Sequence, residues 1–506
     1  MDAASAPLLA LSGIALAFTF ALLHFYPRHR HDSFALSYPP GPKSPSMPSL
    51  DAWVQYQEWG REYDLVYIRE HNMLIINDVH AAIDLLDKRA RIYSDRASTH
   101  SIQLCGADTL IPLQRYSDRW RRNRRLFQQN FRQSASSRFY PAQYMKIHQF
   151  LRRMTAVPEE FMQHTMSLSQ GLIFASLYGI DFGSEDPLSR KAVELVELVG
   201  KAMLQPFPII EQFPWLRFMP SWFPGFGFQE IANKCVQCIK EVDTIPFDKA
   251  VNNLKMGTST SLIAELALES EGKPAEIEMI KAMGTISFIA GGDTTMSSIS
   301  SFLLAMTQHP DVQSKARAEI DRVIGRDRLP TFEDRSSLPY VESIYREVMR
   351  MHPPVPLGLF HLSTEDDFYR GYHIPKGCTV VANIWAMNRD PNTYPEPDKF
   401  IPERFLDSPS GPFMHINSVN AFGFGRRVCA GRHMAENTVW LTIASVLATL
   451  DLRKTHDNEG NEVAIPGEFT RHFFRHPMPY RSSITPRDLQ AQELISATDA
   501  VYSEFK

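Results

Sequence analysis

Cys429 stands in the run Phe422-Gly423-Phe424-Gly425-Arg426-Arg427-Val428-Cys429-Ala430-Gly431. Its neighbours are what a thiolate ligand to haem iron needs. Glycines on both sides let the backbone come close to a flat macrocycle, and they leave amide N–H groups free to point at the sulfur. Arg427 can offer a charge-assisted pair to a propionate, and Phe422 can pack beside the ring. From Arg432 the chain turns into a long apolar pattern. The cysteine therefore precedes a helix N-terminus, a position expected to favour thiolate over thiol. Iron bound by a cysteinate is pushed toward O–O cleavage. A buried free cysteine in a glycine-rich turn is the plainer alternative. The filled pattern F-x-x-G-x-R-x-C-x-G weighs against it.

A second group is Ala290-Gly291-Gly292-Asp293-Thr294, inside a long helical pattern. Each glycine should cost about 1 kcal/mol there relative to alanine. Their place directly before Asp293 and Thr294 suggests a locally opened helix, in which Thr294 holds a water and Asp293 relays protons as a general acid. A tight helix crossing that needs small residues is the rival explanation. Glu347 and Arg350 are three residues apart and share a helix face. With Arg404 they could form a buried carboxylate held by two guanidinium groups, and removing one member would strand a charge.

Taken together, these strings resemble the signatures of the cytochrome P-450 family of haem-thiolate monooxygenases. Phe422–Gly431 is similar to its haem-binding signature and Ala290–Thr294 to the oxygen-binding stretch of its central helix. Glu347–Arg350 is similar to the E-x-x-R motif, Pro402–Phe405 to P-E-R-F, and Trp120–Arg124 to the W-x-x-x-R propionate helix. E-x-x-R and W-x-x-x-R are weak singly; in this order, ending on Cys429, the set is specific. The resemblance covers nearly the whole chain, to Thr485-Pro486-Arg487. It implies a mainly α fold with small β-sheets, forming one large helical domain over residues 51–487 with a long central helix over haem. The implied cofactor is iron protoporphyrin IX with Cys429 as axial ligand. Trp120, Arg124, His361, Arg427 and, further out, Arg96 are the implied propionate partners, while Phe422, Gly425 and Gly431 complete the cradle. Asp293 and Thr294 become the catalytic pair. Glu347, Arg350 and Arg404 become a structural lock behind the haem.

The implied reaction inserts one oxygen atom from O2 into an apolar small molecule. In style the chain is similar to fungal members that decorate terpenoids or polyketides. It has no Rossmann or flavin motif of its own, so electrons from NADPH must arrive through a separate flavin reductase, with cytochrome b5 as a further donor. Arg121, Arg122 and Arg125 crowd the same helix as Trp120. With Arg432 and His433 they form a cationic face on which an acidic flavin domain could dock. Two rivals stand beside this reading: a haem-thiolate isomerase or dehydratase without O2 activation, and a non-enzymatic membrane haem sensor.

The elements that must hold these residues follow from pattern and composition. The chain has 506 residues, a net charge of −4 and 44% hydrophobic residues. That is an ordinary globular composition, and it excludes a globally basic nucleic-acid binder. Five cysteines in so long a chain do not make a disulfide framework. Cys235 and Cys238 share one face of a helical pattern and read as structural, not as a metal pair. An uncharged apolar run from Pro7 to Tyr26 has about the 20 residues that span a bilayer. Arg28 and Arg30 follow it, so a single-pass N-terminal transmembrane helix over residues 1–27 is expected, in the endoplasmic reticulum and with the catalytic domain facing the cytosol. A cleaved signal peptide would want its basic segment before the run. Prolines between 39 and 48 make residues 28–50 a stiff hinge. Residues 488–506 read as a C-terminal tail. Leu65 to Ile76 reads as a β-hairpin, Ala275 to Gln308 as one long helix and Leu338 to Met351 as another. Phe207 to Phe228, dense in aromatics and prolines, is either a core-covering loop or an exposed apolar lip against the membrane.

Overall fold

The computed structural model describes residues 37–43, 51–63, 65–181, 186–204, 207–218, 227–406, 419–471 and 473–503. Its longer helices are α1 (Ala52–Gly60), α2 (Asp118–Phe131), α3 (Tyr140–Ala156), α4 (Phe161–Ile173), α5 (Pro187–Leu204), α6 (Phe228–Lys255), α7 (Pro274–Gln308), α8 (Pro310–Val323), α9 (Pro339–Met351), α10 (Arg432–Thr449) and α11 (Leu489–Ser503). Proline occupies the first turn of α7, α8 and α9, where its missing N–H would be unpaired anyway. Ser117 caps α2 by accepting from the Trp120 amide, which fixes where the propionate helix begins.

α7 runs through the middle of the molecule with α4 packed along it, and α10 lies against its far end. From Thr438 to Thr449 α10 is buried on every side, as a helical stretch with no charged face must be. One core surrounds the first half of α7 with α5 and α6. A second joins α3, α8, α9 and α10. A third lies under the sheets.

The main sheet has the order β1-β2-β6-β3, built from Leu65–Ile68, Met73–Ile76, Thr379–Ala382 and His361–Leu362. β1 and β2 form the expected hairpin, turning at Asn72 with φ 45°. β2 then pairs in parallel with β6, Met73 opposite Thr379, and β3 pairs antiparallel with β6. Asp367–Tyr369 (β4) pairs with Tyr372–Ile374 (β5), and Leu450–Arg453 (β7) with Ser483–Pro486 (β8). The result is mainly α with small sheets, as the sequence implies.

The anchor expected over residues 1–27, and all of the 28–50 hinge except 37–43, lie outside the described residues. Among the described residues no helix is long and apolar enough to cross a membrane. The expected C-terminal tail is helical as α11, and it docks through Ile495 into the second core. In the aromatic segment, residues 219–226 lie outside the described residues. The rest is partly buried and partly exposed. Ile210 and Leu216 are buried with Phe228, while Trp215 and Phe218 are 60% and 77% exposed.

Candidate active site

Cys429 is presented by a closed turn. Its amide donates to the Phe422 carbonyl at 2.9 Å, and the Val428 amide donates to that of Gly425 at 3.2 Å. Gly425 has φ 58°, and a Cβ there would lie 2.0 Å from the Leu86 carbonyl oxygen. This glycine is needed for close contact with the helical turn that carries Leu86. Gly431 is different: a Cβ there would meet nothing within 4 Å, and its amide points at the Cys429 sulfur. Phe422 packs at the edge of the second core.

The cysteine lies deep among protein atoms, yet its side chain opens onto a solvent-accessible space. The expected bias toward thiolate is not met by the protein alone. Burial holds the Cys429 thiol above its usual range, outweighing the Gly431 amide and the Arg124 guanidinium. α10 starts at Arg432. A bound metal cation is what deprotonates a thiol in such a place.

Around this turn the structure gathers cations. Arg427 reaches the Ser94 and Gln114 carbonyls at 2.8 Å each and lies 4.1 Å over the Trp120 ring. Burial pushes its guanidinium down to about 10. Its Nη1 is buried without a partner. Arg124, from α2, donates to the Val428 carbonyl at 2.5 Å, and its Nε is likewise buried and unpartnered. His361, on β3, is bonded through Nδ1 to the Tyr93 carbonyl at 2.7 Å. Burial first, then Arg96 and Arg427, hold it neutral, well below its ordinary range. Arg96 is more committed than expected. It straps the Pro112, Leu359 and Phe360 carbonyls at 3.0, 2.9 and 2.7 Å, which makes it a brace beside the site. Asp95, the nearby carboxylate, is taken by Arg115 at 2.6 Å. Buried guanidinium N–H groups without acceptors, next to an accessible cysteine, fit a cofactor that carries carboxylates and a metal. The residues present fit haem.

α7 differs from the expected opened helix. It is helical without interruption from Pro274 to Gln308. Gly291 and Gly292 face α4: a Cβ on the first would lie 2.9 Å from Ile173 Cδ1, and one on the second 3.4 Å from Gln170 Cγ. The small residues serve a close helix crossing. Ala290 is exposed in the middle of this otherwise buried stretch. One turn on, Thr294 Oγ1 donates to the Ala290 carbonyl at 2.7 Å, leaving its lone pairs open. Asp293 Oδ2 meets His476 Nε2 at 3.2 Å. The sequence offered no signal for His476.

Glu347, Arg350 and Arg404 meet as the E-x-x-R spacing requires. Arg350 grips both carboxylate oxygens of Glu347 at 2.7 and 2.8 Å, and Arg404 Nε approaches at 3.3 Å. The Ile401 amide adds a bond of 2.8 Å. Arg121, Arg122 and Arg125 are exposed. Arg121 pairs with Asp118 at 2.8 Å. Arg122 instead helps line a cavity of about 820 Å³ between α2, α6 and α7, with Leu110, Ile239 and Met279. None of the candidate cofactor or catalytic residues lines that cavity.

Known proteins carry the same pattern. The family described as "Cytochrome P450" matches residues 50–480. Cytochrome P450 monooxygenase 136 of Postia placenta is 36% identical, over 97% of this chain and 96% of its own length. Cytochrome P450 monooxygenase COX1 of Coprinopsis cinerea is 34% identical, over 95% and 97%. A tryptamine 4-monooxygenase of Psilocybe cyanescens is 33% identical, over 89% and 91%.

Proposed function

This chain belongs to the cytochrome P450 family and is a haem-thiolate monooxygenase; on that premise we propose that it oxygenates an apolar small molecule of terpenoid or polyketide type, with electrons from NADPH passed on by a separate flavin reductase. The observation that carries the haem assignment is the accessible Cys429 beside two half-buried arginines, each with a buried N–H group that has no acceptor among the described residues. When bound, haem supplies activation of dioxygen and insertion of one oxygen atom into substrate. The chain's own residues do the rest. Cys429 would ligate the iron. Arg124 and Arg427 would hold the propionates, with Trp120 stacked under Arg427 and His361 alongside. Arg96 braces the strand and loop between which they sit. Phe422, Gly425 and Gly431 shape the ligand turn. Thr294 orders a water with its free lone pairs, and Asp293 delivers a proton to it. Glu347, Arg350 and Arg404 clamp the segment that leads to Cys429.

The reductase docks on the face carrying Arg121, Arg125, Arg432 and His433, and cytochrome b5 shares it. Residues 1–27 anchor the protein in the endoplasmic reticulum, 28–50 act as the hinge, and the domain faces the cytosol. Exposed Trp215 and Phe218 add a second membrane contact. Expression with a reductase in a host fed terpenoids and polyketides, followed by mass spectrometry, tests the substrate class. The relative named for tryptamine makes indole amines the comparison panel. A gain of one oxygen in an indole amine alone would replace the terpenoid reading. NADPH-independent isomerisation would replace the monooxygenase one.

A further inference from the structure

We propose that His476 is a positioning residue for the proton-delivering carboxylate Asp293. The pair joins α7 to a tight turn 183 residues further on. Each is the other's only side-chain hydrogen-bond partner among the described residues. With the ring proton on Nε2, the imidazole donates to Oδ2 across 3.2 Å. His476 Nδ1 is buried with no partner among the described residues, so Nε2 makes the ring's one polar contact there, the one with Asp293.

The backbone behind His476 is pinned from three directions. Its amide donates to Thr470 Oγ1 at 2.9 Å, and the Thr470 amide donates back to its carbonyl at 2.7 Å. The neighbouring Arg475 amide donates to Pro354 at 2.9 Å. The Arg475 guanidinium lies 3.7 Å over the Phe469 ring, which itself stacks on His352. Ser297, one turn along α7 from Asp293, donates to the Arg475 carbonyl. Positions 293 and 297 lie on one stripe of the helix. That stripe is stitched to residues 475 and 476, while Thr294 sits about 100° round the axis. Free rotation of Asp293 is thereby replaced by one held orientation beside Thr294, set by an imidazole whose backbone is hydrogen-bonded to Thr470.

This inference rests on the monooxygenase reading, and its test separates the two. In holoenzyme with reductase and an accepted substrate, His476→Leu should cut the product-to-NADPH ratio at least about tenfold, the scale of a lost charge-assisted hydrogen bond. His476→Gln, which keeps an N–H donor, should stay within about twofold of wild type by the same reasoning. The double variant His476→Leu with Asp293→Ala should be no less coupled than Asp293→Ala alone. Independently of turnover, the His476 ring ¹⁵N resonances of the ferrous carbonyl form, assigned by their absence in His476→Gln, should move in Asp293→Ala. Unchanged coupling in His476→Leu, additive losses in the double variant, or immobile ring resonances would each overturn the proposal. Absence of NADPH-driven oxygenation in wild type would count against the monooxygenase reading alone, since the ring resonances need neither reductase nor substrate.

Discussion

Glu347 Oε2 accepts from Arg350 Nε at 2.7 Å, and neither side chain has any exposure to solvent. The remaining Arg350 N–H groups end on the Asn388, Pro397 and Lys399 carbonyls. One buried ion pair thus ties α9 to the extended segment that follows. Breaking such a pair from one side costs about 3–5 kcal/mol. Glu347→Gln should therefore lower the urea midpoint and the yield of haem-loaded protein together. An unchanged midpoint would show that the pair is not a lock.

Cys429→Ser should abolish the red-shifted carbon monoxide band of reduced thiolate haem. Haem should still be retained through the arginines. Arg124→Leu should do the reverse, keeping the band and weakening haem retention by about tenfold, from the loss of one charge-assisted bond. Haem release to apomyoglobin measures it. A Cys429→Ser protein that kept the band would remove the ligand assignment.

Two glycines of the same turn should behave differently. Gly425→Ala places a Cβ 2.0 Å from the Leu86 carbonyl at φ 58°, so the apoprotein should lose about 2 kcal/mol or more. At Gly431, with φ −89° and open space, alanine should leave apoprotein stability within about 0.5 kcal/mol. Thermal unfolding of the two variants gives the comparison, and equal losses would contradict the geometry.

His361 makes apoprotein stability depend on pH. Its folded-state pKa is depressed by burial and by Arg96 and Arg427. Above the ordinary histidine value of about 6.5 both states are neutral and stability is full. Below it only the unfolded chain takes the proton, so stability should fall by about 1.4 kcal/mol per pH unit. His361→Gln should flatten that part of the curve. An identical slope in the variant would mean that other groups carry it.

Thr294→Ala should uncouple NADPH use from product. In the wild type the hydroxyl donates to Ala290 and is free only as an acceptor, which suits it to hold a water's proton in place. Without it, NADPH consumption should persist while product falls by about tenfold and peroxide rises. Thr294→Ser should keep most of the coupling. A fully coupled alanine variant would end the proton-delivery role.

What was legible in the sequence is what is local. The Cys429 turn, the Glu347–Arg350 spacing and the Trp120–Arg124 helix are short strings whose geometry follows from one turn or one helix face. The partners that complete them are distant and were not legible. Leu86 is the reason Gly425 must be glycine, and nothing near Gly425 says so. Gly291 and Gly292 suggested an opened helix because the residues they face, Ile173 and Gln170, belong to another element. α6 continues through Pro246, which sequence rules alone would make a boundary. His476 had no pattern at all, because a pair across 183 residues leaves none.

The parallel pairing of β2 with β6 has a consequence in time. Met73 needs Thr379, about 300 residues later. At synthesis rates of about 5–20 residues per second, the β1–β2 hairpin waits for roughly 15–60 s with one edge unpaired. Cys429 emerges later still, so the cofactor's thiolate ligand is absent through the whole of that interval. During that interval an exposed strand edge is open to other chains. Yield in a foreign host should therefore depend on how that edge is shielded during synthesis, as much as on how stable the finished protein is.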